Sequence, residues 1–390
     1  LTSTDVEAMA RSTLARLYPE RPGTLPAAVL EQLVRRAQGN PFYVEELLAF
    51  LHDRGLDPQH PDAVLALEAP SSLHSLVLSR MDRLPALQQN VLKAASVVGR
   101  EFTLADLQGY CPTLGPPDAV ATAVVELGRL GLTPPLPDAT EPTHVFHHLV
   151  THEVAYESIG HDTRAVLHEQ FARHLERRRA DPEAWATQLA HHYERAGCAG
   201  PASHYLRRAA SQAMARYAND EALSHLERAL RCLPAADAAG RFELLMQRQA
   251  LSDLQGRHDA QRADLDELQR LATLLPGASA RRIRLLGLQA QLELDVGRHA
   301  EAQAQLAAAL AQLDAATPHD GSLSALRPDL LLLQAQVLLH AGHAAAALQV
   351  VDAALALSQG EPALRLKALS RSGQAHWQLG NHAKVYEFVR

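Results

Sequence analysis

Apolar residues recur along this chain at helical spacing, and the places where the rhythm breaks divide it into three segments. Ala27, Val29, Leu30, Leu33, Val34 and Ala37 fall close to one face of a 3.6-residue period. With the flanking patterns this predicts three helices in residues 1–60: Thr4 to Tyr18, Pro26 to Gln38 and Pro41 to Arg54, the last closed by Gly55. Gly39-Asn40-Pro41 reads as a helix stop followed at once by a helix start. Gly39 can turn left-handed, Asn40 caps the next helix by accepting a free amide, and Pro41 fills the first position, where a missing N–H costs nothing. Glu45 and Glu46 put negative charge near the positive helix end, while Phe42 and Val44 read as core.

Residues 61–160 carry helical patterns at Leu73 to Arg83, Pro85 to Val98, Thr103 to Tyr110 and Pro117 to Leu130. Gly131-Leu132-Thr133, a proline-rich turn through Pro142 and the β-like Thr143-His144-Val145-Phe146 follow. Three helices, strand, turn and strand is the order of a winged helix. From residue 161 onward the chain reads as a helical repeat array. Gly256, Gly297, Gly342 and Gly380 are spaced 41, 45 and 38 apart, each after one apolar helix and shortly before another. Ala222 with Ala229-Leu230, Ala302 with Ala309-Leu310, and Ala347 with Ala354-Leu355 place small residues seven apart, so that neighbouring helices approach closely. That pattern resembles tetratricopeptide (TPR) repeats, although its period exceeds the usual 34. His161 to Arg179, Pro182 to Ala196 and Pro201 to Tyr217 read as more divergent units. An array of this kind presents a concave face suited to a protein or peptide, the bland alternative being a spacer.

Composition narrows the function classes. The 390 residues are 47% hydrophobic but only 4% aromatic, which favours helices over sandwiches and barrels. A net charge of -7 gives no general attraction to nucleic acid or an anionic membrane, and no apolar run reaches the length of a membrane span. The would-be recognition helix, Pro117 to Leu130, sets one arginine, Arg129, against Asp118 and Glu126, so direct nucleic-acid binding is not expected. Cys111, Cys198 and Cys232 are odd in number and far apart, which fits a reducing, cytoplasmic compartment. The lysines are Lys93, Lys367 and Lys384, none after a glycine, so the Gly-x-x-x-x-Gly-Lys-Ser/Thr phosphate loop is absent. His148 and His152 are four apart with Glu153 next, but this is not a His-Glu-x-x-His arrangement. No metal site and no catalytic group is expected, and the histidines are read as solvated or core-edge residues. Leu1 in place of Met and the end inside a helical pattern at Val389-Arg390 read as marks of a piece of a larger protein.

Several blocks in fixed order carry a resemblance. Gly39-Asn40-Pro41-Phe42-Tyr43-Val44-Glu45-Glu46-Leu47 is followed by Pro70-Ser71-Ser72-Leu73, Arg80-Met81-Asp82-Arg83-Leu84-Pro85 and Ala94-Ala95-Ser96-Val97-Val98-Gly99-Arg100-Glu101-Phe102. Val145-Phe146-His147-His148, Glu153-Val154-Ala155-Tyr156-Glu157-Ser158, Leu167-His168 and Leu189-Ala190-His191-His192-Tyr193 come next. Together they resemble the back half of the ATPase module of signal-transduction ATPases with numerous domains (STAND, AAA+/NACHT-like). The similar branch is often fused to class III adenylate or guanylate cyclases or to serine/threonine kinases.

The resemblance implies an all-α chain with a small β-wing: a helical lid (1–60) and a winged helix (61–160), followed by a TPR-like α-solenoid (161–390). It implies a nucleotide-binding core in cis, upstream, with ATP or ADP and magnesium held in the parent protein, and it allows a nucleotide-dependent oligomer. It places Pro41 against the nucleotide base. His148, in the histidine position of a Phe-x-His-x-Leu pattern, would donate to a diphosphate oxygen, although Leu149 and Val150 depart from the family's residues there. Two readings follow. One is a regulatory segment that couples binding on the repeats to the switch and an output domain; the other is a stand-alone repeat scaffold that never meets a nucleotide.

Overall fold

Asn40 lies in extended conformation, its side chain accepting the Phe42 N–H at 3.1 Å, and Pro41 opens the helix that follows. The computed structural model describes residues 3–19, 25–37, 40–60, 72–137, 139, 141–178, 181–315, 323, 325–358 and 361–389. The expected left-handed Gly39, along with Pro70 and Ser71, lies outside them. Helices α1 (Ser3–Leu17), α2 (Ala27–Ala37) and α3 (Pro41–Asp53) stand where the periodicity put them. Val44, Leu47, Leu48 and Leu51 of α3 close a core with Val6, Ala10 and Leu14 of α1 and Val29 and Leu33 of α2. Val44 is fully buried as expected, whereas Phe42 is 48% exposed, its ring turned from that core toward His148.

Helices α4 (Leu73–Asp82) and α5 (Ala86–Val98) come next, then strand β1 (Glu101–Thr103), α6 (Leu104–Tyr110) and α7 (Pro117–Arg129). Ser72 and Thr103 cap α4 and α6 through their hydroxyls. Strand β2 (Thr143–Val145) pairs antiparallel with β1, Phe102 facing His144. A hairpin leads into β2, with the Leu136 N–H donating to Thr143 and the Val145 N–H to Pro134. The strand before α6 is absent from the sequence reading. Three residues with one buried side chain, Phe102, leave too little alternation to see, and β1 owes its extended state to β2.

A buried charge joins these elements. Arg80 of α4, 5% exposed, donates to Glu46 at 2.5 Å and Asp53 at 2.8 Å, both on α3, and to the Leu130 carbonyl after α7 at 3.3 Å.

Helices α8 (Leu149–Glu157), α9 (His161–Arg178) and α10 (Ala186–Arg195) complete the first of two compact units, Leu1–Ala202; the second is Ser203–Arg390. The first unit thus runs past the boundary near residue 160. Inside it Tyr156 Oη lies 2.9 Å from His168 Nε2, and His168 Nδ1 lies 2.8 Å from His192 Nδ1. Two nitrogens at that distance share one proton, so the two rings cannot both be charged there. Burial, aided by the neighbouring histidines, pushes His168 down to about 4 and His192 to about 3. The expectation of solvated or core-edge histidines fails at these two and at His148, His225 and His376, all under 9% exposed. It holds for His191, which is exposed although its ring lies 6.0 Å from that of His168.

From α11 (Ala199–Ala215) the chain runs through helix pairs: α12 (Asn219–Cys232), α13 (Ala238–Leu254), α14 (His258–Ala272), α15 (Ala278–Asp295), α16 (His299–Asp314), α17 (Arg327–His340), α18 (Ala344–Leu357), α19 (Pro362–Gln378) and α20 (His382–Val389). The described residues are thus all-α apart from the short strands, and the repeats are TPR-like. Ala222, Ala229, Ala302, Ala309, Ala347 and Ala354 have no exposed surface, as close helix approach requires. In the repeat lacking the alanines, Gln261 and Leu268 take their places, and the buried Asp264 of α14 accepts a hydrogen bond from Arg248 of α13.

Gly256, Gly297, Gly342 and Gly380 all have φ between 64° and 80°. The N–H one residue later bonds the carbonyl five residues back, as in Arg257 to Ser252 and Arg298 to Glu293. Tyr217 makes the same turn at φ 59°, with Ala218 bonded to Ala213. Its ring is 89% exposed, so packing does not compensate the backbone strain.

Three outcomes follow from these contacts. Arg80→Met should cost about 3–5 kcal/mol in urea unfolding of the first unit, because it strands buried Glu46, and adding Glu46→Met should recover much of the loss. Tyr217→Gly should raise the stability of the second unit by about 0.5–1 kcal/mol, strain relief outweighing the added freedom of the unfolded chain. Below pH 6.5 unfolded histidines bind protons that the folded pair refuses, so stability present above 6.5 is lost as pH falls. The melting temperature of the first unit should therefore drop between pH 6.5 and about 4, less steeply in His192→Gln.

Candidate functional site

The start of α3 and the segment between β2 and α8 meet over one small cluster. Phe146 is fully buried and its N–H bonds the Arg100 carbonyl, while the His147 N–H bonds Leu132, so the backbone is held from both sides just before His148. His148 then caps α8 in extended conformation, 7% exposed. The Phe42 ring lies 4.6 Å from its imidazole, and Glu45, one turn further along α3, reaches His148 Nε2 at 3.1 Å. Glu46 Oε1 lies 3.9 Å from the same nitrogen.

Arg16, Glu45, Glu46, Arg80, Arg129 and His147 surround an adjoining cavity of about 90 Å³, with His148 in its wall. The hydrogen bond from His148 holds the Glu45 carboxyl below its usual range, and partial desolvation, then the neighbouring His148, lowers the largely exposed His147. Arg80 is committed to Glu46 and Asp53, and Arg129 pairs with Glu126 at 2.6 Å. Arg16 is exposed and has no ion pair among the described residues.

Pro41 and His148 thus come from elements that touch, but through Phe42 and Glu45: Pro41 itself does not line the cavity. His148 and His152 do not pair, because the His152 ring hydrogen-bonds the Ser96 carbonyl at 2.9 Å. The sequence reading missed Glu45, Glu46 and His147 as site residues. Glu45-Glu46 was legible only as charge at a helix start, since their partners lie more than thirty positions away.

A second site lies within the repeats. Arg284, Leu288 and Gln291 of α15, Asp329, Leu330, Leu333 and Gln336 of α17, and Leu366, Lys367 and Arg371 of α19 line a groove of about 620 Å³. These first helices of three successive repeats each offer one face at spacings of three and four residues. Arg371 donates to Gln336 at 2.6 Å and Lys367 lies 3.6 Å from Asp329, while Arg284 has no ion pair among the described residues. Leu366 is 71% exposed at the rim. Among the described residues, no helix is long and apolar enough to cross a membrane.

No protein-family model and no curated protein matches this chain. Among solved structures it is similar to a Signal Transduction ATPase with Numerous Domains protein with a tetratricopeptide repeat sensor from Pyrococcus horikoshii, at 12% identity and a TM-score of 0.38. That match covers 100% of this chain and 58% of the other, so the chain spans less than two thirds of its neighbour's length. It is also similar to the TPR domain of P58(IPK), at 11% identity and a TM-score of 0.24, covering 98% of this chain and 90% of that one. Scores this low carry no inference about activity.

Proposed function

We propose that this chain is the regulatory and sensor segment of a signalling ATPase. A protein or peptide bound on the repeats biases an ATP/ADP switch held by a nucleotide-binding core in cis, and through it an output domain such as a nucleotide cyclase, kinase or transcription regulator. The observation that carries this reading is the meeting of the Pro41 corner with His148. The core supplies the phosphate loop and magnesium, and this segment adds no catalytic group. Pro41 lies against the base, and His148 donates to a phosphate oxygen. Glu45 is then a competitor, because it must release Nε2 before an anion takes its place.

The sensor surface is the groove of α15, α17 and α19, with a leucine floor and Arg284, Lys367 and Arg371 set against Asp329 alone. That balance suits an acidic segment with apolar anchors. Such a partner moves the switch only by binding its two nucleotide states differently.

One observation favours a stand-alone scaffold: two carboxylates beside His148 repel an anion. The parent protein separates the readings. His148→Ala should speed ADP release by about tenfold or more, the worth of one hydrogen bond to a charged group, and Glu45→Gln should slow it. Off-rates unchanged in both variants would leave only the scaffold.

A further inference from the structure

The same cluster has a second chemistry that does not depend on a nucleotide. One carboxylate oxygen of Glu45 and one ring nitrogen each from His147 and His148 all lie within 4.8 Å of one another. We infer that Glu45, His147 and His148 form a binding site for a zinc-class divalent cation, clamping the start of α3 to the segment before α8.

Two imidazoles and a carboxylate leave one position of a tetrahedral zinc open for water. Donors bound to zinc at about 2.0–2.1 Å stand roughly 3.4 Å apart, and Glu45 and His148 already lie 3.1 Å apart. The third donor, on the exposed His147, needs to close by at most about 1.4 Å, a rotamer adjustment on an anchored backbone. The metal would replace the proton that His148 now shares with Glu45. The cavity of about 90 Å³ holds the water of the fourth position. Glu46, fixed by Arg80, stays outside the ligand set while its charge favours a cation.

Arg16 opposes the metal, but it is exposed and without an ion pair among the described residues, so it can swing into solvent. It also separates a cation site from an anion site, because removing it must strengthen the first and weaken the second.

Isothermal titration of the full 390-residue chain, free of added histidines, with zinc chloride tests the assignment. One zinc per chain is expected, with affinity falling at least tenfold in His147→Ala and in Glu45→Gln and rising in Arg16→Ala. His147 is exposed, so its variant keeps the fold, and circular dichroism checks this. Absence of stoichiometric binding, or binding that both ligand variants leave intact, would overturn the site. Neither result depends on ADP release, so this proposal and the nucleotide reading fail separately.

Discussion

A guanidinium taken out of water must find acceptors, and Arg80 finds three. It cannot lose its proton to escape burial, so Glu46, Asp53 and the Leu130 carbonyl each accept from one of its nitrogens. Two of them belong to α3 and the third follows α7, so one side chain sets how three helices of the first unit cross. The acid-histidine cluster depends on that crossing. Glu45 is the neighbour of Glu46 on the same turn, and its direction toward His148 follows once Glu46 is fixed on Arg80. The clamp holds by geometry rather than by net attraction, since desolvating both charges offsets much of what their pairing returns.

The second unit is built from local rules. Each helix pair closes on a left-handed residue and a backbone hydrogen bond five residues back, and buried alanines on the second helices let neighbours approach. The first helices use their free faces differently. Gln291, Gln336 and Arg371 bring polar groups over a leucine floor, which turns a packing solution into a groove with a positive bias. Where the alanines are missing, the Arg248 and Asp264 pair shows how a repeat absorbs a larger interior.

Histidines divide by environment rather than by motif. His192 is buried in an imidazole pair that burial keeps neutral, while its neighbour His191 lies exposed at the edge of that pair. His148 is buried among carboxylates, where it can share a proton, a cation or, once Glu45 lets go, an anion. The spacing of His148 and His152 shows none of this, because the contacts that decide it come from α3 and α5.

Helix positions, caps and turns are set by neighbours three to five residues apart, and these the sequence by itself determined. The Asn40 cap, the Pro41 start, the buried alanines and the glycine turns all stand as their local pattern requires. Tyr217 escaped notice because no propensity marks an aromatic residue as left-handed; the repeat around it imposes the turn. The β1 strand, the Arg80 clamp, the Glu45, His147 and His148 cluster and the groove were decided only by tertiary structure. Each joins residues from different elements, and direction and distance across such a gap depend on how helices cross. Sequence spacing carries the period of a helix but not the angle at which it meets another.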